Sequence, residues 1–249
     1  MAQPVVHPLA PLGEEWQRGL AIVAHPDDLE FGAAAAIARW TGQGKQIVYC
    51  LVTSGEAGIA TMAPAQARLV REAEQRTAAA VVGVTVVEFL GQPDGIVEYG
   101  VPLRRELARV IRRHQPEIVI TNNFRDTWDG AVVLNQADHR ATGWAVLDAV
   151  RDASNRWVFP ELLAEGLQPW GGVTQVWAAG SPEARHGVDI TATFPQGVAS
   201  LRAHEAYLRA LGAGTFDPEA YLAELGRAAG ARLGTRYGAA FEVFPCASA

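Results

Sequence analysis

The chain has 249 residues, 49% hydrophobic and 19% charged, with 27 acidic against 21 basic side chains and a formal net charge of −6. That composition excludes intrinsic disorder, suits a substantial buried core in one large domain or two small ones, and offers no basic field for a nucleic-acid backbone. No apolar run reaches the roughly 20 residues of a membrane span, and Met1-Ala-Gln-Pro-Val-Val-His-Pro8 lacks both the basic region and the apolar core of a signal peptide, so a cytoplasmic protein is expected.

Leu20-Ala-Ile-Val-Ala24 is a short continuous apolar run that reads as a buried strand. His25-Pro-Asp-Asp28 follows as a loop, and the alanine-rich stretch from Gly32 to Thr41 reads as a helix closed by Gly42 and Gly44. Gln46 to Val52 is apolar from Ile47 onward, as a parallel strand covered on both faces must be, and it runs into the polar loop Thr53-Ser-Gly-Glu-Ala-Gly58. A helix is predicted over 65–82, ended by Gly83, then a strand over 84–90 and a turn at Gly91-Gln-Pro-Asp-Gly95. Pro102 to His114 reads as a helix and Glu117 to Thr121 as a strand, giving the order βαβαβαβ. After a long irregular segment come a helix over 138–153, strands over 172–179 and 186–190, and helices over 195–211 and 218–233.

The expected class is therefore α/β and Rossmann-like, a mostly parallel sheet with helices on both faces and an elaborated C-terminal third. No linker-like composition divides the chain, so residues 1–249 are treated as one domain. Ligands of such sheets bind outside the carboxyl ends of the strands, which gathers the polar loops on one edge. Cys50 and Cys246 form no C-x-x-C pair, and Cys50, inside an apolar strand, reads as a small buried hydrophobe. No G-x-G-x-x-G turn follows the first strand, which disfavours a dinucleotide-binding oxidoreductase.

Three ionisable groups in four residues, His25, Asp27 and Asp28, immediately after a buried strand are costly unless something pairs them. A divalent metal would: His25 and one aspartate as ligands, the other aspartate placed to accept a proton from the nucleophilic water. The simpler alternative is a turn with Asp28 as helix N-cap. Of the remaining histidines, His139 in Asn135-Gln-Ala-Asp-His-Arg140 starts a helix on the same sheet edge and is the candidate third ligand. His114 is accounted for by its helix C-terminus, and His7 lies near the chain end.

The chain resembles the zinc-dependent N-acetylglucosaminylphosphatidylinositol deacetylase-like proteins, also called LmbE-like or PIG-L. The resemblance rests on Ala24-His-Pro-Asp-Asp-Leu-Glu-Phe-Gly32, Thr53 to Gly58, Arg71-Glu-Ala-Glu74 leading to Val82-Gly-Val84, Phe89 to Gly95, and Asp138-His-Arg140. It weakens to Ala203-His204 and Tyr237-Gly-Ala-Ala-Phe241 near the end. It implies that His25, Asp28 and His139 bind Zn2+, that Asp27 is the general base of a hydrolase removing an acyl group, in the first instance acetyl, from a small amino-sugar-like amide, and that Glu56, Arg71 and Asp94 lie near the substrate. Arg71 with Glu74 is equally an ordinary helical pair, and Asp94-Gly95 an ordinary turn.

One position departs from the pattern. The family commonly has His-x-Asp-His before the last helix, its first histidine stabilising the tetrahedral intermediate, and here that position is Gln136. A glutamine amide donates a hydrogen bond to an oxyanion but delivers neither charge nor proton, so a metal-retaining binding protein with weak or no turnover is the alternative reading. His204 matches a family histidine whose usual serine and glutamine neighbours are alanine and tyrosine here. Asp138 reads most simply as a cap, with orientation of a ligand as the other option. Two histidines and a carboxylate also suit iron(II). Trp128 and the segment Trp157-Val-Phe-Pro160 are candidates for pocket walls, core or subunit contacts, and seven tryptophans are compatible with a homo-oligomer.

Overall fold

A computed structural model of the chain describes residues 7–128, 132–211 and 215–246. The N-terminal segment on which the absence of a leader was read lies largely outside these residues. Strands β1 (Ala10–Pro11), β2 (Arg18–Val23), β3 (Gln46–Leu51), β4 (Val86–Phe89), β5 (Ile118–Asn122), β6 (Gln175–Ala179), β7 (His186–Asp189) and β8 (Gly238–Pro245) form one eight-stranded sheet in the order β1-β7-β8-β6-β5-β2-β3-β4. From β4 to β6 every pairing is parallel, and β8 runs antiparallel to both β6 and β7.

The uninterrupted apolar runs of the inner strands follow from burial on both faces. In β2, Ala21 and Val23 enter one core while Leu20 and Ile22 enter the other, as the two-residue strand period requires. The first core lies under α1 (Ala34–Gly42), α2 (Pro64–Val81), α6 (Phe194–Arg202) and α8 (Pro218–Leu233); the second lies under α3 (Val101–His114), α4 (Ala137–Ser154) and the short α5 (Glu161–Ala164). Ile22 is fully buried, and truncation to alanine there costs about 2–5 kcal/mol. Cys50 is fully buried too, and burial pushes its thiol pKa up. Among the described residues, no helix is long and apolar enough to cross a membrane.

Most expected elements are observed within a few residues, and α8 runs over Pro218–Leu233 as its caps predict: Asp217 accepts the N–H groups of Glu219 and Ala220, and Gly234 closes the helix at φ 76°. The helix expected over 195–211 is instead two, α6 and α7 (Glu205–Ala210). They part at His204, whose ring turns wholly inward to stand 3.4 Å from Glu30. The strand β8 was not anticipated, because its opening Gly-Ala-Ala has little strand propensity and gains its place from pairing with β6 and β7.

The chain runs β2-β3-β4 outward on one side and then returns to place β5 on the other side of β2. The loops after β2 and after β5 therefore open at the switch point of the sheet, where a cleft is forced.

Candidate metal centre and active site

The loop leaving β2 turns sharply at Asp27, whose φ of 91° is left-handed. That conformation is costly for a residue with a Cβ and persists only where its surroundings dictate it. Here the Asp27 N–H donates to Gln75 Oε1 on α2 at 2.9 Å, and the Arg71 guanidinium donates to the carbonyl of Pro26. Gln75 in turn donates to Glu30 Oε1 at 3.0 Å, so both faces of its amide are used in the buried interior.

Opposite this loop, α4 begins at the carboxyl end of β5 with His139 in its first turn. The helix seats closely because position 143 is glycine: a Cβ there would fall 2.2 Å from the Phe124 ring. His25, Asp28 and His139 converge. His25 Nδ1 lies 3.1 Å from His139 Nε2 and 3.6 Å from Asp28 Oδ2, and His139 Nε2 lies 3.0 Å from Asp28 Oδ1. In a tetrahedral zinc site with bonds of about 2.1 Å, ligand atoms stand about 3.4 Å apart. The triangle therefore has the dimensions of three vertices of such a site.

The partners of the rings point the same way. His25 Nε2 faces Asp94 Oδ1 at 3.1 Å and Asp138 Oδ2 at 3.2 Å, and His139 Nδ1 faces Asn135 Oδ1 at 2.9 Å. Each acceptor holds a proton on the outer nitrogen and leaves the inner one, His25 Nδ1 or His139 Nε2, as a free lone pair, the usual arrangement around a metal-binding histidine. A second group, His25 with Asp94 and Asp138, also has ligand spacing. Its carboxylates are already engaged: Asp138 accepts the N–H groups of Gly95 at 2.7 Å and Val97 at 3.0 Å, and Asp94 accepts that of Ala57 at 2.7 Å. They serve as partners of His25.

The electrostatics fit a cation. Burial opposes ionisation of Asp28, yet His139 and His25 outweigh it and hold the carboxyl well below its ordinary range. Burial likewise disfavours a charged His25, and its hydrogen bonds to Asp138, Asp28 and Asp94 override that and push its pKa well up. The negative field that draws a proton onto His25 is the field a divalent ion would neutralise. Asp27 behaves differently from its neighbour: burial raises its pKa to about 6 against the opposing charge of Arg71, whose Nη2 is 3.4 Å away. Its Oδ2 has no hydrogen-bond partner among the described residues.

These groups line a cavity of about 820 Å³ that also includes Arg71, Asp94, Gln136 and Trp128. Arg71 is buried beneath Tyr207, its guanidinium 3.8 Å from that ring's centroid. Glu56 does not line the cavity; its carboxylate accepts the N–H groups of Asp94 at 3.1 Å and Ser54 at 3.3 Å and so ties two loops of the rim together. Gln136 is the exposed N-cap residue of α4, with no side-chain capping bond. Asp138 is not a cap: its carboxylate reaches across to the 95–97 loop and to His25. His114 pairs with Glu88 at 2.8 Å, outside the cluster. Trp128 packs edge-on to His139 with centroids 5.2 Å apart, whereas Trp157, 77% exposed, does not line the cavity.

Sequence reasoning missed Asn135, Gln75 and Tyr207. Only Asn135 had a local signal, standing four residues before His139 across the first turn of a helix.

Residues 20–150 match the family described as GlcNAc-PI de-N-acetylase, PIG-L. Over 189 residues the chain is 28% identical to the diacetylchitobiose deacetylase of Thermococcus kodakarensis, an alignment covering 75% of this chain and 68% of that protein. It is 30% identical over 138 residues to a probable N-acetyl-alpha-D-glucosaminyl L-malate deacetylase 2 of Bacillus anthracis, covering 53% and 58% of the two chains. The solved N,N'-diacetylchitobiose deacetylase of Pyrococcus horikoshii shares the fold, with a TM-score of 0.84, 23% identity, and coverage of 93% of this chain and 85% of that one.

Proposed function

Since the chain belongs to the GlcNAc-PI de-N-acetylase (PIG-L) family, we propose that it is a metal-dependent hydrolase that removes an acyl group from the nitrogen of an amino-sugar-like substrate. The observation that carries this reading is the triangle of His25 Nδ1, Asp28 and His139 Nε2 with Asp27 beside it in the same cavity. The Thermococcus kodakarensis and Bacillus anthracis relatives bear the names of deacetylases of N-acetylated sugars, which supports the same class of substrate here.

The three ligands would hold a zinc ion, whose chemistry when bound is that of a Lewis acid for water and an amide carbonyl. Asp27, raised toward neutrality by burial, accepts a proton from the attacking water and returns it to the leaving amine as the carbon–nitrogen bond breaks. A carboxylate of ordinary acidity would be a poorer acceptor near pH 7. Gln136, at the cavity rim, donates its amide N–H to the oxygen that becomes negative in the tetrahedral intermediate. Arg71 and Asp94 face the sugar, and Glu56 acts by fixing the loop that carries Asp94.

The test is release of primary amine from a set of N-acyl glucosamines and their oligomers by zinc-loaded protein, with zinc content measured on the same sample. Turnover that vanishes on chelation and returns with zinc supports the assignment. A protein that holds stoichiometric zinc and hydrolyses none of them is instead a binding protein.

A further inference from the structure

A second cavity, of about 520 Å³, opens from the first and shares Phe31, Gly32, Trp128, Gly180 and Leu225 with it. It follows one face of α8 from Leu225 through Ala228 and Ala229 to Arg232, floored by Ala239 and Ala240 of β8 and bounded by Pro182. Its charged and hydroxyl-bearing lining side chains are engaged elsewhere, apart from Glu30 Oε2, which is buried without a hydrogen-bond partner among the described residues. Glu30 is bound by Gln75 and faces His204, Ser181 donates to Glu242 at 2.6 Å, and Arg232 donates to the carbonyls of His7 and Ala184 at 2.9 and 2.7 Å. The remaining lining is almost wholly glycine, alanine, proline, aliphatic and aromatic. At the junction with the metal-site cavity, Trp128, Tyr221 and Leu225 are 39%, 40% and 46% exposed, a contiguous apolar mouth of the kind that marks a binding surface.

From this arrangement we propose that the α8 groove is an acyl-chain subsite, so that the preferred substrates carry an N-acyl chain longer than acetyl. The inference rests on the hydrolase reading above and extends it to the substrate. Two halves of the combined cavity differ in chemistry. The metal-site half is lined largely by ionisable and amide side chains and by the glycines of the 55–58 loop, which suit a polar sugar, and the α8 side suits methylenes. An amide whose carbonyl lies at the ligand triangle and whose sugar faces the polar half directs its acyl chain along α8. The eight residues of helix from Leu225 to Arg232 span about 10 Å, room for a chain of roughly eight carbons.

The experiment is a series of N-acetyl-, N-butanoyl-, N-hexanoyl- and N-octanoylglucosamine, read as kcat/KM with zinc-loaded enzyme and as Kd by calorimetry with the Asp27→Asn variant. A fully buried methylene gives about a fourfold gain, so a groove open on one side gives about twofold per methylene up to octanoyl. Ala228→Phe, at an exposed helix position, and Leu225→Lys, at the junction, are each expected to flatten the octanoyl-to-acetyl ratio. Equal binding across the series overturns the proposal, as does a gradient that both variants leave intact. A gain confined to the octyl glycoside of N-acetylglucosamine would place the tail on the sugar side and also overturn it. If the acetyl compound is hydrolysed and the chain gives no gain, only the subsite fails. Should nothing be hydrolysed, the hydrolase reading fails and the binding series still decides the groove.

Discussion

His25 Nδ1 and His139 Nε2 face each other at 3.1 Å, while Asp138 and Asn135 take the opposite nitrogen of each ring. Two lone pairs so placed repel unless a proton or a cation lies between them. Zinc is therefore expected to stabilise the folded protein, by about 2.7 kcal/mol at a free concentration of 100 times Kd. Thermal unfolding with graded zinc and with chelator measures this. His139→Ala should abolish the increment and lower zinc content, and His114→Ala, whose ring pairs with Glu88, should preserve both. An undiminished increment in His139→Ala would remove that residue from the centre.

Asp27→Asn should retain zinc and lose roughly 10²-fold or more in turnover, because an amide cannot accept the proton of the attacking water. Asparagine is also among the side chains that tolerate positive φ, so the turn at 91° survives the change. Metal analysis and steady-state rates decide it. Loss of zinc in the variant would mean that Asp27 and Asp28 exchange roles, and unchanged turnover would release Asp27 from the reaction.

Gln75→Leu isolates the support behind that turn. It strips the Asp27 N–H of its acceptor and Glu30 of a donor, both in the buried interior. A buried group left unpaired costs about 1–3 kcal/mol. Chemical denaturation should show a loss of that order, and kcat should fall more than zinc content does. Unaltered stability would show that the turn is held by Arg71 and Pro26 alone.

How much of this was legible in the sequence depended on the range of the interaction. Inner strands such as Gln46–Leu51 declare themselves because double burial demands an unbroken apolar run. Residue chemistry and the rule that sheet-edge loops gather at one end point to His25, one of its two neighbouring aspartates and His139 as candidate ligands, and only the family resemblance chooses Asp28 over Asp27. For Asp138 the local pattern favours a cap over the orientation of a ligand, and the structure shows the second, because its partners, His25 and the N–H groups of Gly95 and Val97, lie more than 40 residues away. The break at His204 was hidden for the same reason: local spacing continues the helix, and only the buried Glu30 explains the inward turn. The apolar groove along α8 had no sequence signal, since its floor comes from a strand assembled late in the chain.

Glu88 provides the pH test away from the centre. Its hydrogen bond from His114, aided by Arg113 and opposed by burial, holds its carboxyl below the ordinary glutamate value. A folded pKa below the unfolded one contributes stability that is complete above the unfolded value, about 4.3, and is lost as pH falls through the folded one. The melting temperature should therefore fall more steeply below about pH 4.3 in the parent protein than in Glu88→Gln. Parallel acid limbs in the two proteins would show that the pair contributes nothing to folding.

Gln136 is where this chain leaves its family's pattern, and it separates an enzyme from a binder. The residue is exposed at the cavity rim, and its side chain makes no capping bond to α4, which leaves the amide accessible to a ligand. As an exposed position its replacement should alter stability by no more than about 0.5 kcal/mol, so a kinetic effect reads directly on the site. Gln136→Ala should lower kcat by about 10²-fold, the usual cost of removing one oxyanion donor, with zinc content unchanged. A glutamine amide does not titrate between pH 5 and 9, whereas Gln136→His introduces an imidazole with an unperturbed pKa of about 6.5. The histidine variant should gain a limb on the alkaline side of its pH–rate profile as imidazolium loses its proton, and the parent should lack it. If Gln136→Ala turns over as fast as the parent, the oxyanion donor lies elsewhere; His204, buried near Asp27 and facing Glu30, is then the next residue to replace.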